Sequence, residues 1–207
     1  MNDVINTKAS DLYIYMNQQA GFTLTELLII IAIAAIVVTW GIPGFRGLIL
    51  NNRAAVDSSD FITSLNQARS EAVKRGVGWR IVMCPGTAAG CSGTAWGSGW
   101  VVFVDADANN DHVLNETTDN NGQWDNGEKI LQIHGAFNNG NALTSNMTDN
   151  STAYISFQSD GSSRIKGSNA FQLGTFTFGL CNANNQRNIV VINSVGRASM
   201  RQQSCPR

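Results

Sequence analysis

The sequence Gly21-Phe22-Thr23-Leu24-Thr25-Glu26 leads directly into an unbroken apolar run, residues 27–38. A continuous helix over residues 22–40 would be about 28 Å long at 1.5 Å per residue, close to the hydrocarbon thickness of a bilayer. The run therefore predicts a membrane-spanning helix. Glu26 falls in its first turn, where a carboxylate at membrane depth costs about 2.5–3.5 kcal/mol on insertion scales. This cost indicates that Glu26 has a specific partner.

Two simpler interpretations explain the run less well. A secretory signal peptide has a basic front and a small-residue cleavage site behind its apolar segment. Here Lys8 is offset by Asp3 and Asp11, and the small-residue sequence at 32–34 lies inside the run. A permanent single-span anchor does not explain why a carboxylate, Glu26, is placed at membrane depth despite its cost.

An amphipathic pattern follows Pro43, which is expected to kink the helix rather than end it. The pattern is one apolar stripe at helical spacing, formed by Phe61, Leu65, Ala68 and Ala72. Lys74 and Arg75 fit the last turn, and Gly76 fits the C-cap. A helical spine from residue 22 to about 75 is predicted.

Short apolar or alternating segments replace the helical pattern after Gly76. They predict strands near 79–84, 100–105, 129–134, 153–158, 171–180, 189–195 and 197–201. The long Asn-rich connections 106–127 and 138–150 are expected to be surface loops. The predicted fold class is α+β, with a long N-terminal α-helix packed on an antiparallel β-sheet domain.

Composition suits an exported domain better than a cytosolic enzyme. Only 14% of the residues are charged, and the net charge is −1. That balance hides an asymmetry, because no acidic residue follows Asp160, whereas six basic residues do: Arg164, Lys166, Arg187, Arg197, Arg201 and Arg207. One end of the domain is therefore expected to be basic.

The N-terminal pattern resembles that of type IV pilins and type II secretion pseudopilins: Gly-Phe-Thr-Leu-x-Glu, a long apolar helix, and Pro43 at the matching place. The resemblance implies that a prepilin peptidase cuts between Gly21 and Phe22 and methylates Phe22. It also implies that Glu26 meets the freed amine of a neighbouring subunit. In that pairing, two charges that are costly alone in lipid neutralise each other.

Later motifs resemble the H-type minor pseudopilins (GspH/FimT). These are Ala68-Arg69-Ser70-Glu71-Ala72, Gly99-Trp100-x-x-Phe103-x-Asp105, Asp125-x-Gly127-Glu128-x-Ile130-Leu131, Asp160-Gly161 and Gly196-Arg197. The resemblance covers most of residues 21–201 and implies the pilin-like version of the predicted fold.

Four segments are expected on this basis. Residues 1–21 form a leader, of which 1–15 is an extension if Met16 is the true start; 22–42 form the transmembrane and filament-core helix; 43–76 continue the spine; and 77–207 form the β-rich domain. The implied location is the bacterial inner membrane, with the β-rich domain in the periplasm, followed by a pilus or pseudopilus filament.

Four cysteines lie at Cys84, Cys91, Cys181 and Cys205, with no Cys-x-x-Cys pair to suggest zinc. With a periplasmic destination, two disulfides are expected. Three pairings are possible, of which we favour 84–91 with 181–205.

Five residues fit positions 1, 3, 5, 7 and 12 of a calcium-binding loop: Asp105, Asp107, Asn109, Asp111 and Glu116. No flanking EF-hand helices are predicted, so a solvated acidic loop is the favoured interpretation and calcium binding is the alternative.

The two histidines, His112 and His134, lie in no hydrolase motif. No enzymatic activity and no cofactor are predicted.

Two other features have competing interpretations. Some members of the FimT-like branch bind DNA through a Gly-Arg-x-Arg tail, whereas this chain has Gly196-Arg197-Ala198-Ser199, with Arg201 two residues farther on. Alternation along a strand places Arg197 and Arg201 on the same face. This placement has two interpretations: the two side chains contact a phosphate backbone, or they form a basic edge that discourages aggregation between strands. Trp96 and Trp100 are expected to pack in the core rather than form a binding platform.

The resulting hypothesis is a minor pilin of a type IV pilus, placed near the filament tip and involved in pilus assembly and initiation. The alternatives are a minor pseudopilin of the type II secretion system and a DNA-binding minor pilin for natural transformation. The expected partners are other major and minor pilins or pseudopilins, the prepilin peptidase, the inner membrane and, in the last case, DNA.

Overall fold

The computed structural model describes residues 21–105, 124, 128–137, 142–147, 154–165, 170–182 and 184–206. The chain divides into two units, Met1–Pro43 and Gly44–Arg207. One α-helix, α1, runs over Leu24–Arg75, so the helix continues through Pro43, as predicted. Gly76 follows the last helical residue, and its φ of 83° lies in the left-handed region that favours glycine, while its N–H donates to Ala72 O.

Nine strands follow the helix in the described part of the chain: β1 Arg80–Thr87, β2 Gly90–Cys91, β3 Trp100–Asp105, β4 Ile130–His134, β5 Leu143–Met147, β6 Ile155–Phe157, β7 Gly174–Cys181, β8 Gln186–Ile192 and β9 Ala198–Ser204. A 3₁₀ turn lies at Trp96–Ser98. The α+β class is confirmed, since every paired strand is antiparallel.

The strands form two sheets. The first contains five strands in the order β2-β1-β3-β4, with β6 paired to β1, and the second has the order β5-β7-β8-β9. Within the second unit, the predicted helical stripe from Phe61 to Ala72 is buried against both sheets. The principal core therefore lies between the helix and the two sheets.

Phe61 is at the centre of that core. Its ring centroid lies 5.2 Å from that of Trp100 in the first sheet and 4.8 Å from that of Phe176 in the second. Trp96 and Trp100 are both fully buried, which confirms their predicted role in packing. One aromatic side chain of the helix thus joins the two sheets.

The opposite face of the first sheet has its own small cluster, which contains Val82, Val101 and Phe103. The disulfide between Cys84 and Cys91 lies in this cluster and links β1 to β2. The second disulfide links Cys181 at the end of β7 to Cys205 just after β9. Both predicted pairings are present.

The prediction of a loop over 138–150 is wrong for its central part. Residues Leu143–Met147 form β5 and pair with β7, and both terminal side chains are buried. This strand is difficult to recognise in the sequence, because only its two end residues are apolar and its centre consists of Thr144, Ser145 and Asn146. Pairing with the more apolar β7 fixes its conformation.

Candidate processing and assembly site

The start of α1 holds Glu26 by two reciprocal hydrogen bonds. The Glu26 N–H donates to the Thr23 hydroxyl oxygen at 3.2 Å, and the Thr23 N–H donates to Glu26 Oε2 at 3.5 Å. This is a capping box, in which Thr23 is the N-cap and Glu26 satisfies a backbone donor in return. The arrangement fixes the carboxylate at the positive end of the helix dipole, four residues beyond Phe22.

Glu26 keeps hydrogen-bonding capacity after it completes the capping box. An ionised carboxylate has two acceptor oxygens and about four lone-pair sites. The capping bond uses Oε2, and both Thr23 and Glu26 are exposed. A second donor, such as an amine, can therefore approach the carboxylate without breaking the cap.

The helix after Glu26 is apolar on all sides. Among the large side chains of the run 27–38, exposure ranges from 49% at Ile30 to 63% at Val37. A helix that is apolar all round is suited to a surrounding of lipid or of other helices. Within the described residues, no helical segment meets the length and hydropathy required of a membrane span.

The part of α1 in the second unit has apolar side chains on two opposite faces. Phe45, Leu48, Ile49 and Val56 are each between 46% and 67% exposed. At about 100° per residue they fall on one side of the helix, roughly opposite the buried Phe61 stripe. This outer stripe is available to pack against another helix.

Two segments that are far apart in the sequence meet at Arg69 of α1. Arg69 Nε donates to Gly161 O at 2.8 Å, and a Cβ atom added to Gly196 would overlap that same carbonyl oxygen. The side chain of Asp160 accepts hydrogen bonds from the N–H and hydroxyl of Ser162, which lower the pKa of Asp160. The motifs around Arg69, Gly161 and Gly196 therefore form a structural junction.

The predicted basic residues lie on an exposed edge. Arg201 is in β9, the last strand of the second sheet, opposite Ile189 of β8. Arg197 directly precedes β9, and its N–H donates to Asn193 Oδ1 at 2.9 Å. Both side chains are exposed. Alternation along the strand places Arg201 on the face away from the core.

Two family profiles match the chain. The profile described as "Prokaryotic N-terminal methylation motif" matches residues 16–42. The profile described as "Type II transport protein GspH" matches residues 57–196, more than half of the chain. This chain belongs to the GspH family.

Comparison of structures finds the type IV minor pilin FimU of Pseudomonas aeruginosa strain PAO1. It shares 18% sequence identity with this GspH-family chain, over 75% of this chain and 99% of FimU, at a TM-score of 0.44. No curated protein matches. Membership of the GspH family therefore rests on the profile match over residues 57–196.

The predicted calcium loop of this GspH-family chain is described only at its first residue. Asp105 is fully buried at the end of β3, opposite Arg80 in the register of β1. Burial lowers the pKa of Arg80, and the Asp105 carboxylate opposes that shift. The other four positions of the loop lie outside the described residues. The described residues themselves contain no cluster of three or more side chains that could hold a metal ion.

His134 packs against the core. Its ring stacks on Trp100 at a centroid distance of 3.8 Å, and its Nε2 lies 3.6 Å from Asp60 Oδ2 on α1. His112 lies outside the described residues. The contacts of His134 join β4 to the helix.

Two structural residues were not predicted from the sequence. Asn188 Nδ2 donates to Ala54 O and Ser58 Oγ, which fastens β8 to α1. The side chain of Gln172 bonds both Tyr154 O and Ser156 N along β6. The sequence signal for Asn188 is its position two residues before the buried Val190, on the same face of the strand.

Proposed function

We propose that this GspH-family chain is a minor subunit of a type IV pilus, incorporated near the filament tip during assembly and initiation. The single observation that supports this best is the position of Glu26. The capping box holds its carboxylate at the N–H of Thr23, the residue after Phe22, and the apolar run 27–38 of α1 follows directly. This geometry supports a role in assembly.

Processing creates the partner for Glu26. Scission between Gly21 and Phe22 by a prepilin peptidase releases an α-amine on Phe22, which the same enzyme methylates. A methylated amine remains a cation that can donate hydrogen bonds. In an apolar surrounding an isolated ion costs several kcal/mol, and pairing with the opposite charge offsets that cost. The amine of one subunit and Glu26 of the next therefore form the assembly contact.

The apolar surfaces of α1 supply the remainder of the interaction. The run 27–38 holds the subunit in the inner membrane before assembly and is then surrounded by the helices of other pilins. The outer stripe of Phe45, Leu48, Ile49 and Val56 continues this packing beyond the membrane. Each large apolar side chain fully buried in this way contributes about 1.5–3 kcal/mol.

A second candidate function is that of a minor pseudopilin in type II secretion, and the description of the matching family favours it. The two disulfides fit either candidate, because the periplasm and the cell exterior are both oxidising. A deletion strain separates the candidates. Loss of surface pili with normal enzyme secretion supports the pilus, and the reverse result supports the secretion system.

Replacing Glu26 with alanine is expected to reduce incorporation into filaments by tenfold or more. The variant leaves the amine of the neighbouring subunit without a counter-ion, and each 1.4 kcal/mol of lost interaction is about a factor of ten. The measurement is the amount of the chain in sheared filaments relative to the amount in membranes, by quantitative immunoblot.

Two control variants define the cause. Glu26→Gln keeps the size and one acceptor oxygen but removes the charge, and it should fail like Glu26→Ala. Glu71→Ala removes an acid of the same helix that pairs with Arg75 at 2.9 Å, and it should incorporate normally. Normal incorporation of both Glu26 variants would refute the proposed contact.

A further inference from the structure

The outer edge of β9 is the most regular free edge in the described part of the chain. β9 is the last strand of its sheet, and its seven residues pair with β8 without a register shift. Proteins commonly protect such edges with bulges, prolines or a covering segment, because an open edge pairs with other strands. β9 contains no proline.

The edge of β6 shows how the same molecule covers a strand. The Gln172 side chain accepts from Ser156 N at 3.1 Å and donates to Tyr154 O at 2.9 Å, which replaces a neighbouring strand. Arg164 N also donates to Ser156 O. Among the described residues, no corresponding hydrogen bonds reach the outer edge of β9.

The hydrogen bonds at the two ends of β9 determine which backbone groups face outward. Asn193 N donates to Arg197 O, and Cys205 N donates to Asn185 O, so residues 197 and 205 face β8. Inward and outward positions alternate along an antiparallel strand. The outward N–H and C=O groups therefore belong to four residues: Ala198, Met200, Gln202 and Ser204.

Both ends of this edge are fixed. At its start, the Gly196 turn packs on the carbonyl of Gly161, which Arg69 holds. At its end, Cys205 is joined to Cys181 of β7. A rigid, preformed edge loses little conformational entropy when a strand is added to it.

The side chains on the two faces of β9 specify the strand that would pair with it. Met200, on the core side opposite Val190, is 49% exposed and offers apolar surface. Arg201 points to the other face, where Arg187 donates to Gln203. Since cross-strand neighbours interact, an added strand places an apolar residue beside Met200 and an acidic residue beside Arg201.

We propose that the outer edge of β9 binds an extended, acid-bearing segment of a neighbouring protein subunit by β-strand addition. The proposal rests on the assembly function, for which it supplies a second contact between subunits, distant in sequence from Glu26. Backbone hydrogen bonds provide the affinity, and alternation of apolar and acidic residues provides the selectivity. The absence of any acid after Asp160 favours this charge complementarity.

The test uses the full chain in detergent and a fluorescent heptapeptide in which valine alternates with glutamate. Gln202→Pro removes one outward N–H without affecting the bonds to β8, because edge strands tolerate proline at such positions. We expect the variant to weaken peptide binding tenfold or more by anisotropy. The matched variant Gln202→Ala keeps the N–H and should bind within twofold of the unaltered chain.

Two further measurements make the result specific. Arg201→Glu should weaken the glutamate peptide and strengthen one in which lysine replaces glutamate. If Gln202→Pro fails to fold, hydrogen exchange in the unaltered chain decides, since the peptide should slow exchange of the Met200 and Gln202 amides. Unchanged binding by a folded Gln202→Pro variant, or no slowing of exchange, would overturn strand addition.

Duplex DNA provides the remaining comparison. One result would overturn the proposal and identify a phosphate-binding surface instead. In that result the chain binds duplex DNA but not the peptide, Arg197→Ala and Arg201→Glu abolish the DNA binding, and Gln202→Pro leaves it intact. The peptide assay requires no filaments. Its failure therefore leaves the proposed assembly function standing, and failure of the Glu26 test leaves the peptide result standing.

Discussion

Gly196→Ala is expected to lower the free energy of unfolding by about 3 kcal/mol or more. Gly196 has a φ of 71°, and a left-handed conformation costs a residue with a Cβ about 1–2 kcal/mol. The added Cβ would also overlap Gly161 O and lie 3.2 Å from the Phe157 ring. Gly161 cannot move freely, because Arg69 binds its carbonyl.

Gly93→Ala is the matched control for this loss. Gly93 has a φ of 66°, nearly the same as that of Gly196, but a Cβ there meets no atom within 4 Å. It should therefore show the conformational cost alone, about 1–2 kcal/mol. Urea titrations followed by tryptophan fluorescence measure both variants, and equal losses would contradict the packed junction.

Phe61→Ala should destabilise the second unit by about 3–5 kcal/mol. The substitution leaves a cavity where the Phe61 ring contacts four aromatic side chains. Their centroids lie 4.8–6.0 Å away, at Phe176, Trp100, Trp96 and Phe178. Both sheets lose their shared contact with the helix. The measurement is again the free energy of unfolding in urea.

Val73→Ala provides the comparison on the same helix. Val73 is 51% exposed, so its truncation should change the free energy of unfolding by about 0.5 kcal/mol or less. A loss below about 1.5 kcal/mol for Phe61→Ala would show that the sheets do not depend on this ring. Trp96 and Trp100 fluorescence should also change only in the Phe61 variant.

The helix and most strands could be predicted because their periodicity reflects burial. The stripe from Phe61 to Ala72 repeats at helical spacing and is buried as expected. β5 could not be recognised, since its polar centre hides a pairing that depends on β7. The division into two sheets also escaped prediction, because it depends on pairing between strands distant in sequence.

Part of the candidate site could also be predicted from local sequence patterns. The position of Glu26 in the first turn of the helix was expected, whereas its capping box with Thr23 was not, although Thr23-x-x-Glu26 is the sequence pattern of that motif. The junction of Arg69, Gly161 and Gly196 joins segments far apart in sequence, so no local pattern indicates the contact. The burial of Asp105 is likewise a tertiary effect, since the sequence shows only a row of acids.

The most direct test of the proposed function is the intact mass of the chain recovered from sheared filaments, with sequencing of its first residues. We expect a protein that begins at Phe22 and is one methyl group heavier than the unmodified chain from that residue. Filaments containing a chain that begins at any other residue, or that has an unmodified Phe22, would contradict the proposed processing and the pairing of Glu26 with the new amine.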